Sequence, residues 1–211
     1  MPVFLSPDLA PRISLTLSEC RDRIRGSLGE RDSSLFTDAD LNFFLNEAVE
    51  ILATELDWYR ISFIFGTTAG QKEYQLPDPT TGHFLQMEEV RVDGRMMQPI
   101  TLRELSVLEI NYQQNSGTGS PSYYYVRGNT AVGLHITPGT TDIDNVEALY
   151  AALPPRIVAP DDFLYGPGGS QHAYLAYSLL QCSIKDAHGE GRQRIPIYDA
   201  QWKEAKARVK A

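Results

Sequence analysis

Three features of this chain predict an α+β fold: helical spacing near both ends, a change to two-residue alternation from Arg60 onward, and turn dipeptides scattered through the middle. Helices on either side of a run of strands imply a helical bundle made from both ends of the chain. A small antiparallel β domain, a sandwich or a curled sheet, would be inserted between them. The expected boundaries are 1–59 for the N-terminal helical part, 60–153 for the β insertion and 154–211 for the helical part that completes the bundle.

The first helix is expected over Thr16–Leu28, where Leu17, Cys20, Ile24 and Leu28 recur at helical spacing and Gly26 weakens the end. After the polar loop GERDSS, Thr37 is a natural N-cap, and Asp38 and Asp40 suit the positive helix start. Leu41, Phe44, Leu45, Ala48, Val49, Leu52 and Leu56 then form one apolar stripe, leaving Asn42, Asn46, Glu50 and Asp57 toward water. From Arg60 the period becomes two, with Ile61, Phe63 and Phe65 on one face, and Ala69-Gly70 turns into QKEYQLP, read as an antiparallel return strand.

Pro77–Gly82 reads as a loop, Phe84–Val92 alternates again, and Asp93-Gly94 is a hairpin signal leading to Met96–Pro99. Thr101 and Glu104 have capping-box spacing for a short helix reaching about Asn111. Strands are expected at Tyr123–Val126, Ala131–Ile136 and Val146–Ala151, giving a meander of about six or seven strands. Beyond the loop PPRIVAPDDFLYGPGG, Ser170–Ala187 is apolar nearly all round, as a helix buried on several sides would be. HGEGRQRIP reads as a break, and Tyr198–Lys210 as a closing helix with Tyr198, Trp202, Ala205 and Val209 on one face.

Composition narrows the function classes. The 211 residues are 42% hydrophobic and 22% charged, ordinary for a folded chain long enough to bury a core. No apolar run approaches the roughly 18 residues of a membrane-spanning helix. MPVFLSPDLAP has no basic n-region and interrupts its apolar run with prolines, unlike a signal peptide. Cys20 and Cys182 lack CxxC spacing and read as reduced and buried, and His83, His135, His172 and His188 lack metal-ligand spacing.

The net charge is −8 and the pI near 5.0, with no dominant basic stripe of the kind that wraps DNA. Phe36–Trp58 holds Asp38, Asp40, Glu47, Glu50, Glu55 and Asp57 and no Lys or Arg. Lys185–Ala211 holds seven basic residues against four acidic ones, net +3, which leaves −11 for the remainder. Such asymmetry marks either a solvated face or the two halves of an intersubunit contact.

No motif for nucleotide binding, serine hydrolysis or zinc proteolysis is present, so no catalytic residue, metal ligand or cofactor is assigned. Tyr165-Gly166-Pro167-Gly168-Gly169 precedes a helix and reads as the turn that opens it rather than as an anion loop. Asp142-Ile143-Asp144-Asn145 lacks the remaining spaced ligands of a calcium loop. Asp161-Asp162 suits helix entry better than a metal-dependent nuclease, which remains the least favoured alternative. In SPSYYYVRGNTAVGLHITP, alternation about a Gly128-Asn129 turn sets Tyr124 and Val126 on one face and Tyr123, Tyr125 and Arg127 on the other. One face is expected in the core and the other as a contact surface, or as the aromatic platform of a carbohydrate- or protein-binding β module.

LFTDADLNFFLNEAVEILATELDW, followed by AGQKEYQLP, MEEVRVDGRMMQPIT, a Gly-rich loop, Pro-x-Tyr-Tyr and LYAALPP before an Ala/Tyr-rich helix, resembles the tailed-phage head-to-tail adaptor proteins. The resemblance covers about residues 14 to 190, in the branch carrying a β insertion. It implies a non-enzymatic virion protein at the head–tail interface, assembled in the host cytoplasm without a membrane. The family forms a ring, commonly of twelve copies, beneath the portal, offers a docking surface to tail or nozzle proteins, and lets DNA pass without sequence-specific binding. On that reading Glu47, Glu50 and Asp57 are candidate channel-facing acids, since phosphates slide past a wall that does not hold them. Tyr123, Tyr125, Arg127, Trp202, Lys203, Lys206 and Arg208 are candidate subunit, portal or tail contacts, with Trp202 equally suited to packing within its own bundle. The N-terminal dozen residues and Gln113–Ser120 are the segments expected to reorder on docking.

Overall fold

Two threonines start the first two long helices by the same device. Thr16 Oγ1 accepts from the Glu19 amide at 3.2 Å while Glu19 Oε2 accepts from the Thr16 amide at 2.8 Å. Thr37 and Asp40 repeat the exchange at 3.2 and 3.1 Å. Each capping box satisfies amides that a helix start otherwise leaves unpaired. In chain order the computed structural model contains β1 (Val3–Phe4), β2 (Arg12–Thr16), α1 (Leu17–Leu28), α2 (Asp38–Leu56), β3 (Arg60–Thr67), β4 (Glu73–Gln75) and β5 (His83–Val92). There follow β6 (Arg95–Met96), β7 (Gln98–Pro99), α3 (Leu102–Leu108), β8 (Tyr123–Arg127), β9 (Ala131–Leu134), β10 (Asp142–Leu153), β11 (Phe163–Tyr165), α4 (Ser170–Lys185) and α5 (Gly191–Lys210). The structure describes residues 3–4, 12–29, 35–77, 82–108, 119–186 and 191–210. The segments expected to reorder, apart from 3–4, 12 and 119–120, lie outside the described residues.

The chain is α+β and divides into two compact units: Met1–Leu9 with Arg60–Leu153, and Ala10–Tyr59 with Pro154–Ala211. The second unit has one hydrophobic core. Leu41, Leu45, Ala48 and Leu52 of α2 join Cys20 and Ile24 of α1, Tyr174 and Cys182 of α4, and Trp202 and Ala205 of α5. β11 pairs with β2, a ribbon in what reads as a loop in the sequence. Beside it the Asp162 and Pro160 carbonyls accept from the Leu17 and Ser18 amides, each at 3.0 Å. Asp161 and Asp162 therefore precede a strand rather than a helix, and Asp162 helps cap α1 with its backbone.

Two further differences have physical causes. α5 begins at Gly191, seven residues before the expected Tyr198, and runs through Pro196. Proline's fixed φ is compatible with a helix, and Ile195 and Tyr198 pack against the core on either side of it, which offsets the missing amide. Asn46 does not face water. Its Nδ2 donates to the Ile157 carbonyl at 2.9 Å and to the Asn42 carbonyl at 2.8 Å, and its Oδ1 accepts from the Ile157 amide at 2.8 Å. The side-chain amide thus takes the place of a neighbouring strand's backbone.

In the first unit the five-stranded sheet runs β1-β3-β10-β5-β6, and the four-stranded sheet runs β4-β9-β8-β7. Phe65 of β3 meets Tyr74 of β4 with ring centroids 4.9 Å apart, so aromatic packing joins the two sheets. Burial alternates along β3, with Ile61, Phe63, Phe65 and Thr67 inward. The Asp93-Gly94 hairpin is present, both residues at positive φ (50° and 74°), as a type I′ turn requires. The return strand QKEYQLP is not paired with β3, however. Its β4 pairs with β9, and β7 pairs parallel with β8, so this part is not a simple meander.

Replacing Asn46 tests the bracket. Asn46→Ala leaves the Ile157 amide and carbonyl unpaired and is expected to cost about 1–3 kcal/mol in denaturant unfolding. Asn46→Asp should cost at least as much, because a carboxylate accepts from the amide but repels the carbonyl. An unfolding curve unchanged in either variant would contradict the assignment.

Candidate functional site

The acidic row on α2 is mostly spoken for inside its own unit. Asp38, at the first position of the helix, receives Arg21 and Arg25 from α1, each at 2.6 Å. Arg25's hydrogen bond, with the charge of Arg21, holds that carboxyl below the usual range. Asp40 receives Lys185 from the end of α4 at 2.6 Å, and together with the Thr37 cap this brings its pKa to about 2. Glu50 binds Arg156 at 2.7 Å and Glu55 binds Lys206 of α5 at 2.9 Å. The charge asymmetry of the sequence is therefore matched within the unit: Lys185 and Lys206 of the basic C-terminal segment meet two acids of the acidic helix.

Among the three acids expected to face a channel, Glu50 is neutralised by Arg156, and Glu47 is engaged by the Tyr177 hydroxyl. Burial raises the Tyr177 phenol pKa, and its hydrogen bond to Glu47 adds to the effect. Asp57 is exposed, closing α2 in the left-handed region with φ 46°.

The contact candidates also divide. Trp202 is 7% exposed and packs edge-on to Tyr177, centroids 5.1 Å apart, with Lys206 Nζ 5.4 Å from the Trp202 ring centroid. It is a core residue of its own unit, the packing alternative of the two readings given for it, and Lys206 is held between Trp202 and Glu55. Lys203 and Arg208 are exposed and pair one turn back, with Asp199 at 2.7 Å and Glu204 at 2.6 Å.

On the tyrosine hairpin the expectation of one buried and one open face fails. Tyr124 and Tyr125 are adjacent and both buried, 4% and 2% exposed. Tyr125 stands opposite Gly133 in the register of β8 and β9, and its ring lies across that glycine, where a Cβ would come within 2.1 Å of Tyr125 Cζ. The hydroxyl reaches Glu73 at 3.2 Å, and Arg127 binds the same carboxylate at 3.0 Å. A glycine partner lets an outward ring fold down onto its own sheet, so Tyr125 is corrected from contact surface to packing. Tyr123 is half-buried and edge-on to His135, centroids 5.1 Å apart, and Arg127 is exposed. No aromatic platform remains.

The structure shows a surface feature that the apolar stripe of α2 omits. Phe43 lies off that stripe, 50% exposed, with the Arg156 guanidinium 5.9 Å from its ring centroid. Val158, 76% exposed, follows the residue bracketed by Asn46. The first Phe of the pair Phe43-Phe44, out of phase with the stripe, is the sequence signal that could have found it. Among the described residues no group of three or more His, Cys, Asp or Glu is placed to hold a metal. No described helix is long and apolar enough to cross a membrane.

Two substitutions test these assignments. Gly133→Ala must displace the Tyr125 ring and is expected to lower stability by about 1–3 kcal/mol, measured by urea unfolding. Asp40→Asn keeps the Thr37 cap but loses the charge that faces Lys185. Because the folded-state pKa is depressed, the wild-type advantage is full above the ordinary carboxylate pKa of about 3.9 and is lost as pH falls toward 2. The Tm gap between wild type and Asp40→Asn should therefore close across that interval; a gap constant with pH would rule out the pair as its source.

A family model described as SU10 adaptor protein matches residues 15–211. No curated protein matches the chain.

Proposed function

The chain belongs to the phage SU10 adaptor protein family, and we propose that it acts as the head-to-tail adaptor ring that docks beneath the portal and presents the tail attachment surface. The observation that carries this reading is the extent of the match, residues 15–211, which takes in both the helical unit and nearly all of the β unit. The family makes the protein a virion component. Its role is structural rather than catalytic, its partners are the portal ring, tail or nozzle proteins and further copies of itself, and assembly takes place in the host cytoplasm. The β unit is a domain inserted between the two helical parts of the chain.

The electrostatics support passage of DNA without capture. Ion pairs consume Asp38, Asp40, Glu50 and Glu55, so α2 offers a wall of low net charge, and the net −8 of the chain gives phosphates no basic groove to settle in. Phe43 with Val158 is the apolar contact best suited to a neighbouring subunit, and Lys203 with Arg208 forms its charged counterpart on α5. A binding module displayed on a helical base is disfavoured by the burial of Tyr124 and Tyr125.

Mass measurement and negative-stain microscopy with and without purified portal rings test the proposal. A ring assembled on the portal is expected, and a protein that stays monomeric at high concentration with portal present would overturn it. Phe43→Glu should leave the thermal unfolding midpoint within a few degrees, as exposed substitutions generally do, and abolish ring assembly. Phage lacking the protein should accumulate filled heads without tails.

A further inference from the structure

The outer edge of β3, like that of β5 on the opposite side of the five-stranded sheet, carries only a two-residue strand, and the strand on β3 comes from the far side of the other unit in sequence. β1 pairs antiparallel with β3 through Val3↔Ile64 and Phe4↔Phe63, yet the whole of Ala10–Tyr59 lies between them in the chain and belongs to the helical unit. β3 is eight residues long, so among the described residues only two of its positions are covered on that edge. An edge strand left open over most of its length is a template for another extended chain.

We propose that this edge receives the Val3–Phe4 strand of a neighbouring copy in the assembled ring, so that adjacent subunits are joined by exchanged N-terminal strands. The proposal rests on the ring reading above and names the contact between its subunits. Every copy carries the same strand and the same slot, so exchange preserves the Val3↔Ile64 and Phe4↔Phe63 pairing and loses none of it. Two paired residues hold the strand in its own chain only weakly. A ring raises the local concentration of neighbouring strands, and the balance then turns on reach. The tether LSPDLAP, residues 5–11, contains Pro7 and Pro11, which carry no amide to donate to a strand partner. At full extension its seven residues reach about 25 Å.

Cysteine cross-linking separates the two arrangements. Directly opposed residues of antiparallel strands lie about 4.5–5.5 Å apart at Cα, within the range of a disulfide. The native Cys20 and Cys182 are both fully buried, and burial pushes the Cys20 thiol pKa up to about 12, so neither competes. Val3→Cys and Ile64→Cys variants carrying different tags are mixed, assembled on portal rings and oxidised. The expected product is a mixed-tag band near twice the 23.6 kDa of one chain. The double variant should give a ladder of multimers on a non-reducing gel.

Rings whose double variant cross-links only within single chains would overturn exchange while leaving the ring reading intact. Rings with no cross-link of either kind would overturn the β1–β3 pairing itself. A reduced protein that never assembles, read from its mass, would overturn the ring and the exchange together. Deleting residues 1–9 provides a second readout: both units should keep their unfolding transition while ring yield falls several-fold, and an undiminished yield counts against the proposal.

Discussion

The helical unit depends on α2 being enclosed by chain that is made more than a hundred residues later. Asn46 meets Ile157 across 111 positions, Asp40 meets Lys185 across 145, and Glu55 meets Lys206 across 151. The apolar stripe of α2 cannot be buried by α1 alone, and its acidic row finds some of its cations only on α4, α5 and the segment before them. Exposed ion pairs contribute little individually, and burial of Leu41, Leu45 and Leu52 supplies most of the stabilisation. The pairs and the Asn46 bracket set the register of the closure instead. A side-chain amide that can satisfy a backbone donor and acceptor at once admits only one position of the returning chain.

That closure requires the β unit to start and finish at neighbouring points. β3 and β10, its first long strand and its last, are adjacent and antiparallel, with Arg60 opposite Ala151. The strand that leaves and the strand that returns are thus held side by side by their own hydrogen bonds, whatever lies between them. β10 is central, paired on both sides, and its buried Val146, Ala148 and Tyr150 anchor the sheet.

Within the helical unit, functional surfaces are what remains after internal demand is met. Of the charges that look like partner-seeking halves in the sequence, Lys185 and Lys206 meet Asp40 and Glu55, and Trp202, a residue type that often anchors interfaces, is spent on Tyr177 and Lys206. Left outside are Phe43 and Val158 beside the Asn46 bracket, Leu35, Phe163, Ile184 and Ile197 elsewhere on the unit, and the outer cations of α5.

Local chemistry was legible in the sequence. The Thr37 N-cap, the Thr101 capping box, the α2 stripe, the alternation of β3, the Asp93-Gly94 hairpin and the α+β class each depend on residues within a few positions of one another, where side-chain type and spacing determine the backbone. Apart from the early start of α5 across Pro196, the failures involve partners outside the local segment. Which strand QKEYQLP pairs with, whether Tyr125 points outward or lies over Gly133, and that Asn46 faces a backbone rather than water were decided by the tertiary structure. Alternation assigns a residue to a face, but only the neighbouring strand says whether a glycine there lets a ring lie flat. Likewise, helical phase places an acid on a surface, and only the returning chain determines whether a lysine stands opposite it.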